Sequence, residues 1–126
     1  MRIARLDHFV LTVRDTDATC AFYERVLGME ARRFGDGRTA LHFGRQKINL
    51  HKAGAEFEPK AEAPMPGSGD LCLILDGALD DALAHLEREG VDIIEGPVER
   101  TGAEGTIRSV YFRDPDGNLI EISEYL

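Results

Sequence analysis

Two marks recur at one fixed distance along this chain. His8, which opens an alternating apolar segment, is matched 62 positions later by Asp70, and Gly28, which ends a helical pattern, is matched at the same offset by Gly90. Self-similarity of this kind predicts one supersecondary unit used twice. In the first copy, residues 6–13 (LDHFVLTV) alternate, with Phe9, Leu11 and Val13 on one face and His8, Val10 and Thr12 on the other. The polar turn RDTD follows and offers Asp15, Thr16 or Asp17 as the N-cap of a helix. That helix runs through Leu27, with Ala18, Ala21, Phe22 and Val26 on its apolar stripe and Gly28 as its left-handed terminator. Segments 29–34, 39–44 and 46–52 read as strands, with a hairpin at GDG 35–37.

The second copy repeats the order. Residues 70–75 alternate, placing Leu71, Leu73 and Leu75 opposite Asp70, Cys72 and Ile74. A helix starts at Leu79, carries Ala82, Leu83 and Leu86, and ends at Gly90. Strands are expected at VDIIEG (91–96), IRSVYF and NLIEISEY, with RDPDGN as the last turn. The helix stripes do not superpose at the common offset, so a short insertion near the helix is implied. His51 and Glu121 are separated by 70 positions, which asks for roughly eight extra residues in the second copy. The stretch 95–106 (EGPVERTGAEGT) is read as the loop that holds them. Residues 53–68 contain three of the five prolines and read as an extended linker. The expected fold is α+β: one domain over 1–126, made of two βαβββ units at 1–52 and 69–126. Together they supply eight strands in a mixed, U-shaped open barrel.

Composition narrows the function. Fifteen basic against 23 acidic residues leave a formal charge of −8, which builds no phosphate-neutralising stripe and no basic surface for anionic lipid. Cys20 and Cys72 sit in no CxxC pattern and read as reduced thiols of a cytoplasmic protein. The N-terminus MRIARLDHFVLTV has neither the apolar core nor the cleavage site of a signal peptide, and no apolar run reaches the ~18 residues of a membrane span. No GxGxxG, Walker A or GxSxG motif occurs, and Cys20 has no evident base partner.

The alternation singles out four polar side chains. His8 and Asp70 lie on the mixed faces of the two opening strands, and His51 and Glu121 on the mixed faces of the two closing ones. Two imidazoles with one or two carboxylates fit a divalent transition metal. Each residue taken alone has a structural reading: a hydrogen-bonded strand histidine, a turn aspartate, a solvated edge glutamate. His42 and His85 read as structural and solvent-facing. Arg45, Lys47, Lys52 and Lys60 read as scattered surface charges, and Arg100 and Thr101 as part of a surface loop.

RLDHFVLTV, FYERVLGME and YFRDPDGNLIEISEY together resemble the vicinal oxygen chelate superfamily, the group of glyoxalase I, bleomycin-resistance proteins and extradiol dioxygenases. KINLH, EFEPKA, PGSGDLCLI and GPVERTGA are similar to its small glyoxalase-domain subgroup, some of whose bacterial members are labelled virulence proteins. The resemblance covers essentially the whole chain. It implies paired βαβββ units around a metal, with His8, His51 and Glu121 as ligands and Asp70 as a fourth where glyoxalase I usually has His or Gln. It implies a Ni, Zn, Mn, Co or Fe ion and a glyoxalase-I-like lyase or isomerase. Such an enzyme stabilises an ene-diolate of a small substrate chelated through vicinal oxygens, with Glu121 as the base. A non-haem Fe(II) dioxygenase and a non-catalytic binder of a drug or metabolite are the competing readings. A homodimer is expected, because sheet edges need cover.

Overall fold

A computed structural model describes all 126 residues. The chain divides into two compact units, Met1–Ser68 and Gly69–Leu126. The first contains β1 (His8–Val13), α1 (Thr16–Leu27), β2 (Glu30–Phe34), β3 (Arg38–Phe43) and β4 (Gln46–Lys52). The second contains β5 (Asp70–Ile74), α2 (Leu79–Arg88), β6 (Glu95–Thr101), β7 (Thr106–Arg113) and β8 (Leu119–Tyr125). Each unit forms its own four-stranded sheet, in the orders β1-β4-β3-β2 and β5-β8-β7-β6. In both, the first strand pairs in parallel with the last and the other pairings are antiparallel. A parallel pair cannot be closed by a tight turn, so the helix and two strands in between form the crossover. The duplication in sequence is therefore a duplication in topology.

Local chemistry starts and stops the helices. The Asp15 carboxylate accepts a hydrogen bond from the Ala18 N–H at 3.0 Å, Asp17 lies in the first turn and Arg25 in the last. Gly28 terminates α1 at φ 66°, the left-handed conformation expected of it. The buried stripe of α1 is Thr19, Tyr23 and Val26, not the expected Ala18–Ala21–Phe22 set. The helix is rotated by about one residue because the large Tyr23 side chain, fully buried, takes the core side. In α2, Ala78 provides no side-chain cap; the Leu79 N–H instead donates to the Glu124 carboxylate of β8 at 2.9 Å. That cap is tertiary, which is why no sequence pattern announces it. Beneath α1 lie Leu11, Val13, Leu41, Ile48 and Leu50; unit 2 buries Leu79 and Leu86 of α2 with Val110, Phe112, Ile120 and Ile122.

The structure moves one expected strand. VDIIEG was expected as a strand and 95–106 as a loop, whereas β6 occupies Glu95–Thr101. Pro97 is tolerated because β6 is an edge strand, and the register breaks between Glu95 and Val98 as a bulge. Gly96 makes the bulge possible: its φ is +101°, and a Cβ there would overlap the Ser109 carbonyl oxygen. The DPDGN turn is a closed polar knot. Asp114 accepts from the N–H groups of Asp116 and Asn118 at 2.9 and 3.0 Å and from the Asn118 side-chain amide at 2.7 Å. Asn118 in turn accepts from the Gly69 N–H at 2.7 Å, which sets Asp70 beside the start of β8.

His51 is one of the few buried polar groups of unit 1, 7% exposed, with its ring edge-on to Phe57 at 5.6 Å. Burial, and then the nearby Arg38 guanidinium, hold its pKa below the ordinary imidazole value, against an opposing pull from Glu56 and Glu58. A base depressed in the folded state contributes stability that is complete above its unfolded pKa, near 6.5, and is lost as pH falls toward the folded value. Chelator-treated protein should therefore unfold at lower denaturant at pH 5 than at pH 7, and His51→Gln should narrow that drop. An unchanged drop in the variant would remove His51 as a cause. Gly96→Ala should cost about 3 kcal/mol through strain and overpacking, read from equilibrium denaturation; a wild-type midpoint would contradict the bulge argument.

Candidate functional site

The two parallel ladders decide which polar side chains meet. In unit 1, His8 lies opposite Lys47, Val10 opposite Asn49, and Thr12 opposite His51. Because side chains alternate along a strand, all six share one face of the sheet, the face turned away from Leu11, Val13, Ile48 and Leu50. His8 is half-exposed at the start of this ladder, and its Nδ1 lies 2.8 Å from the Asp7 carboxylate. That bond, above all, pulls the Asp7 carboxyl below its usual range. A carboxylate on Nδ1 fixes the tautomer that leaves the Nε2 lone pair outward, the arrangement of a metal-ligating imidazole.

In unit 2, Asp70 lies opposite Leu119, Cys72 opposite Glu121, and Ile74 opposite Ser123. Glu121 is held by hydroxyls of its own sheet. Its Oε2 accepts from the Ser109 hydroxyl at 2.6 Å, and the Ser123 hydroxyl lies 2.6 Å from that of Ser109 and 3.4 Å from Oε2. Both serines are fully buried. Cys72 Sγ joins the chain at 3.3 Å from the Ser123 hydroxyl. Burial pushes the Cys72 thiol up, Ser123 opposes this and Glu121 reinforces it, which favours the thiol form. Tyr111 faces Glu121 across β7–β8, and its hydroxyl accepts from Arg100 Nε at 3.1 Å. Arg100 also pairs with Glu95 at 3.0 Å, so it belongs to this network on β6 and not to a surface loop. Burial raises the Tyr111 phenol above its usual pKa, Arg100 opposes this and Glu121 reinforces it. Ser109, Tyr111 and Ser123 were missed in the sequence; their two-residue spacing (109 and 111, 121 and 123) was the signal that they share a face.

The ladders also correct an expected equivalence. Partners across β1–β4 differ by 39 positions and across β5–β8 by 49, so ten extra residues separate the second ladder, not eight. With His8 matched to Asp70, the counterpart of Glu121 is Asn49, and the counterpart of His51 is Ser123. Within unit 1, His8 and His51 are four rungs apart, about 13 Å along the strands. One ring is held by Asp7 at the start of the ladder and the other by Phe57 at its end. Within unit 2, Asp70 and Glu121 are two rungs apart on the same face, with Asp70 exposed. Neither unit by itself gathers three His, Cys, Asp or Glu side chains in a metal-holding group. His42 is half-buried on β3 opposite Lys47, and His85 is half-buried on α2, not fully solvent-facing.

The geometry has counterparts among known proteins. Virulence protein STM3117 of Salmonella typhimurium is 57% identical over 126 residues, covering 100% of this chain and 88% of that protein. Its crystal structure superposes with a TM-score of 0.99 and covers 100% of both chains. Glyoxalase domain-containing protein RDO1 of Mycosarcoma maydis is 55% identical over 99% of this chain and 70% of its own length. Lactoylglutathione lyase from Agrobacterium tumefaciens is more distant, 26% identical with a TM-score of 0.74, over 98% of this chain and 96% of that one. The family model of the glyoxalase/bleomycin resistance protein/dioxygenase superfamily matches residues 5–122. The two βαβββ units are shared with that group, and the chain belongs to the glyoxalase/bleomycin resistance protein/dioxygenase superfamily.

Proposed function

We propose that this protein is a metal-dependent lyase or isomerase of the glyoxalase I kind, acting on a small molecule with oxygens on neighbouring carbons. Proteins of its superfamily bind small molecules, and many depend on a metal. The observation that carries the reading is the preparation of Glu121: a carboxylate whose Oε2 accepts from the buried Ser109 hydroxyl, with the Tyr111 hydroxyl and the Cys72 thiol beside it. Such a group has a fixed orientation, which suits it to hold an ion or to move a proton. His8 is prepared in the same sense, since Asp7 holds its Nδ1.

The donors assigned to a divalent ion of the Ni, Zn, Mn, Co or Fe series are His8, His51, Asp70 and Glu121. His8 and Glu121 suit the role best. Asp70 is exposed on the face of Glu121, and His51 would have to leave its packing on Phe57. A bound ion would supply Lewis acidity toward paired substrate oxygens. The chain's own part is proton handling: the Glu121 carboxylate, when not engaged by an ion, would take a proton from the hydroxyl-bearing carbon and return it to the neighbouring carbonyl carbon. The Tyr111 hydroxyl, still protonated at neutral pH, is a hydrogen-bond donor on the same face. A homodimer belongs to the same reading. The edge strands β1 and β5 leave Val10 and Ile74 43% and 51% exposed, and a second copy would cover such edges.

Elemental analysis of purified protein should find about one divalent ion per chain, and His8→Ala or Glu121→Ala should remove at least about nine-tenths of it. The same proteins should lose hemithioacetal isomerisation in parallel. Wild type that holds no Ni, Zn, Mn, Co or Fe after incubation would reject the donor assignment. Sedimentation at micromolar concentration should show twice the 14.0 kDa chain mass; a purely monomeric species would reject the dimer.

A further inference from the structure

We infer that the cleft of unit 1 between the first turn of α1 and strands β2, β3 and β4 binds a small zwitterion, an α-amino acid with a short apolar side chain. Thr39 stands opposite Leu50 across β3–β4 and Arg33 opposite Thr39 across β2–β3, so the three form one row. Lys52 lies two residues beyond Leu50 and shares its face. That is the face of Leu11, Ile48 and α1, the reverse of the one that carries His8 and His51. The inference therefore stands apart from the metal reading and needs neither an ion nor turnover. The cleft measures about 290 Å³, at the lower end of ligand pockets and of the size class of a small metabolite.

Both signs of charge line this one space. Arg33 and Lys52 come from the sheet and Asp17 from the first turn of α1. No ion pair joins the three to one another or to any other residue. All three are exposed, so a ligand reaches them directly. Asp17 and Arg33 also act with opposite sign on the thiol of Cys20, one helical turn beyond Asp17, which puts both charges at the same end of α1. Unlike charges that face one cleft without touching leave a gap matched to a molecule that carries both signs. Direct contact between such exposed groups gains little, whereas a ligand seated between them makes a charge-assisted hydrogen bond at each end.

The rest of the lining completes the match. Thr16 and Thr39 are half-buried in the cleft, and neither hydroxyl has a hydrogen-bond partner in the protein. Leu50 is a buried apolar floor, and the linker lays the Phe57 ring along one side. An α-amino acid uses each of these groups. Its carboxylate accepts from the planar Arg33 guanidinium and from Lys52. Its ammonium has three donors, for the Asp17 carboxylate and the threonine hydroxyls. A short apolar side chain covers Leu50 and Phe57 and removes their surface from water.

The test is a titration of chelator-treated full-length protein with L-valine, with isovalerate, which lacks the ammonium group, and with isobutylamine, which lacks the carboxylate. Ionic strength is held constant with chloride, and binding is followed in the NMR signals of the Thr16, Thr39 and Leu50 methyl groups and of the Phe57 ring. L-Valine should move these signals with saturation below about 10 mM, and each analogue should bind at least about fivefold more weakly. Asp17→Asn should weaken L-valine about fivefold and leave isovalerate unchanged, whereas Arg33→Gln should weaken both. If Arg33→Gln does not fold, Lys52→Gln makes the same comparison at the other cation. Absence of saturation with L-valine, an analogue that binds as tightly, shifts confined to His8 and His51 on the reverse face, or variants that bind like wild type would overturn the inference. Metal content, read separately, bears only on the donor assignment.

Discussion

Pairing of a unit's first strand with its last is the interaction from which the rest of this structure follows. Parallel neighbours force a crossover, and here the crossover is a helix and a two-stranded excursion. The helix then covers one face of the sheet it has just crossed, which leaves the opposite face free for polar side chains. The same ladder sets which residues of the first and last strands stand side by side. Moving it by one residue would exchange the buried and polar faces, so the apolar alternation of 6–13 and 46–52 protects the register. His8 beside Lys47 and Cys72 beside Glu121 are consequences of that pairing.

The two copies have used equivalent positions differently. In unit 2 the last strand supplies Glu121, with Ser109 and Ser123 as buried hydroxyls beneath it. With Ser109 donating to the carboxylate, Ser123 can donate to Ser109, so a chain of hydroxyls ends on Glu121. In unit 1 the matching rung carries Asn49, neutral and with an unsatisfied oxygen, and the rung beyond carries His51, held neutral by burial and Arg38. One copy of the motif therefore presents negative charge there, and the other neutral groups. A duplicated topology places side chains in pairs, but the chemistry of each pair is free to diverge because the backbone hydrogen bonds do not depend on it.

What could be read without coordinates depended on range. The caps and turns of α1 are local: Asp15 bonds three residues on, and Gly28 needs only its own backbone freedom. The DPDGN turn is similarly short-range, although its tie to Gly69 is not. The β6 strand was missed because Gly96 and Pro97 break every strand rule that applies to a central position, and only its place at a sheet edge lifts the objection. The α1 stripe was misplaced by a residue because Ala18, Ala21 and Phe22 look as apolar as Tyr23 until the sheet selects the larger side chain. His51 matches Glu121 only in lying on the mixed face of a closing strand, and positions two residues apart share that face, so the pattern does not tell one rung from the next.

The amino-acid sequence by itself determined the duplicated βαβββ order, the helix boundaries, the polar and apolar faces of most strands and the superfamily. All of these rest on periodicity and on contacts within a few residues. Tertiary structure decided the rest: the rung on which each polar residue stands, the serine pair under Glu121, and the meeting of Asp17, Arg33 and Lys52 around one cleft. The physical reason is that a ladder joins residues some forty or fifty positions apart. A single inserted residue between them changes every partner while leaving both local patterns intact.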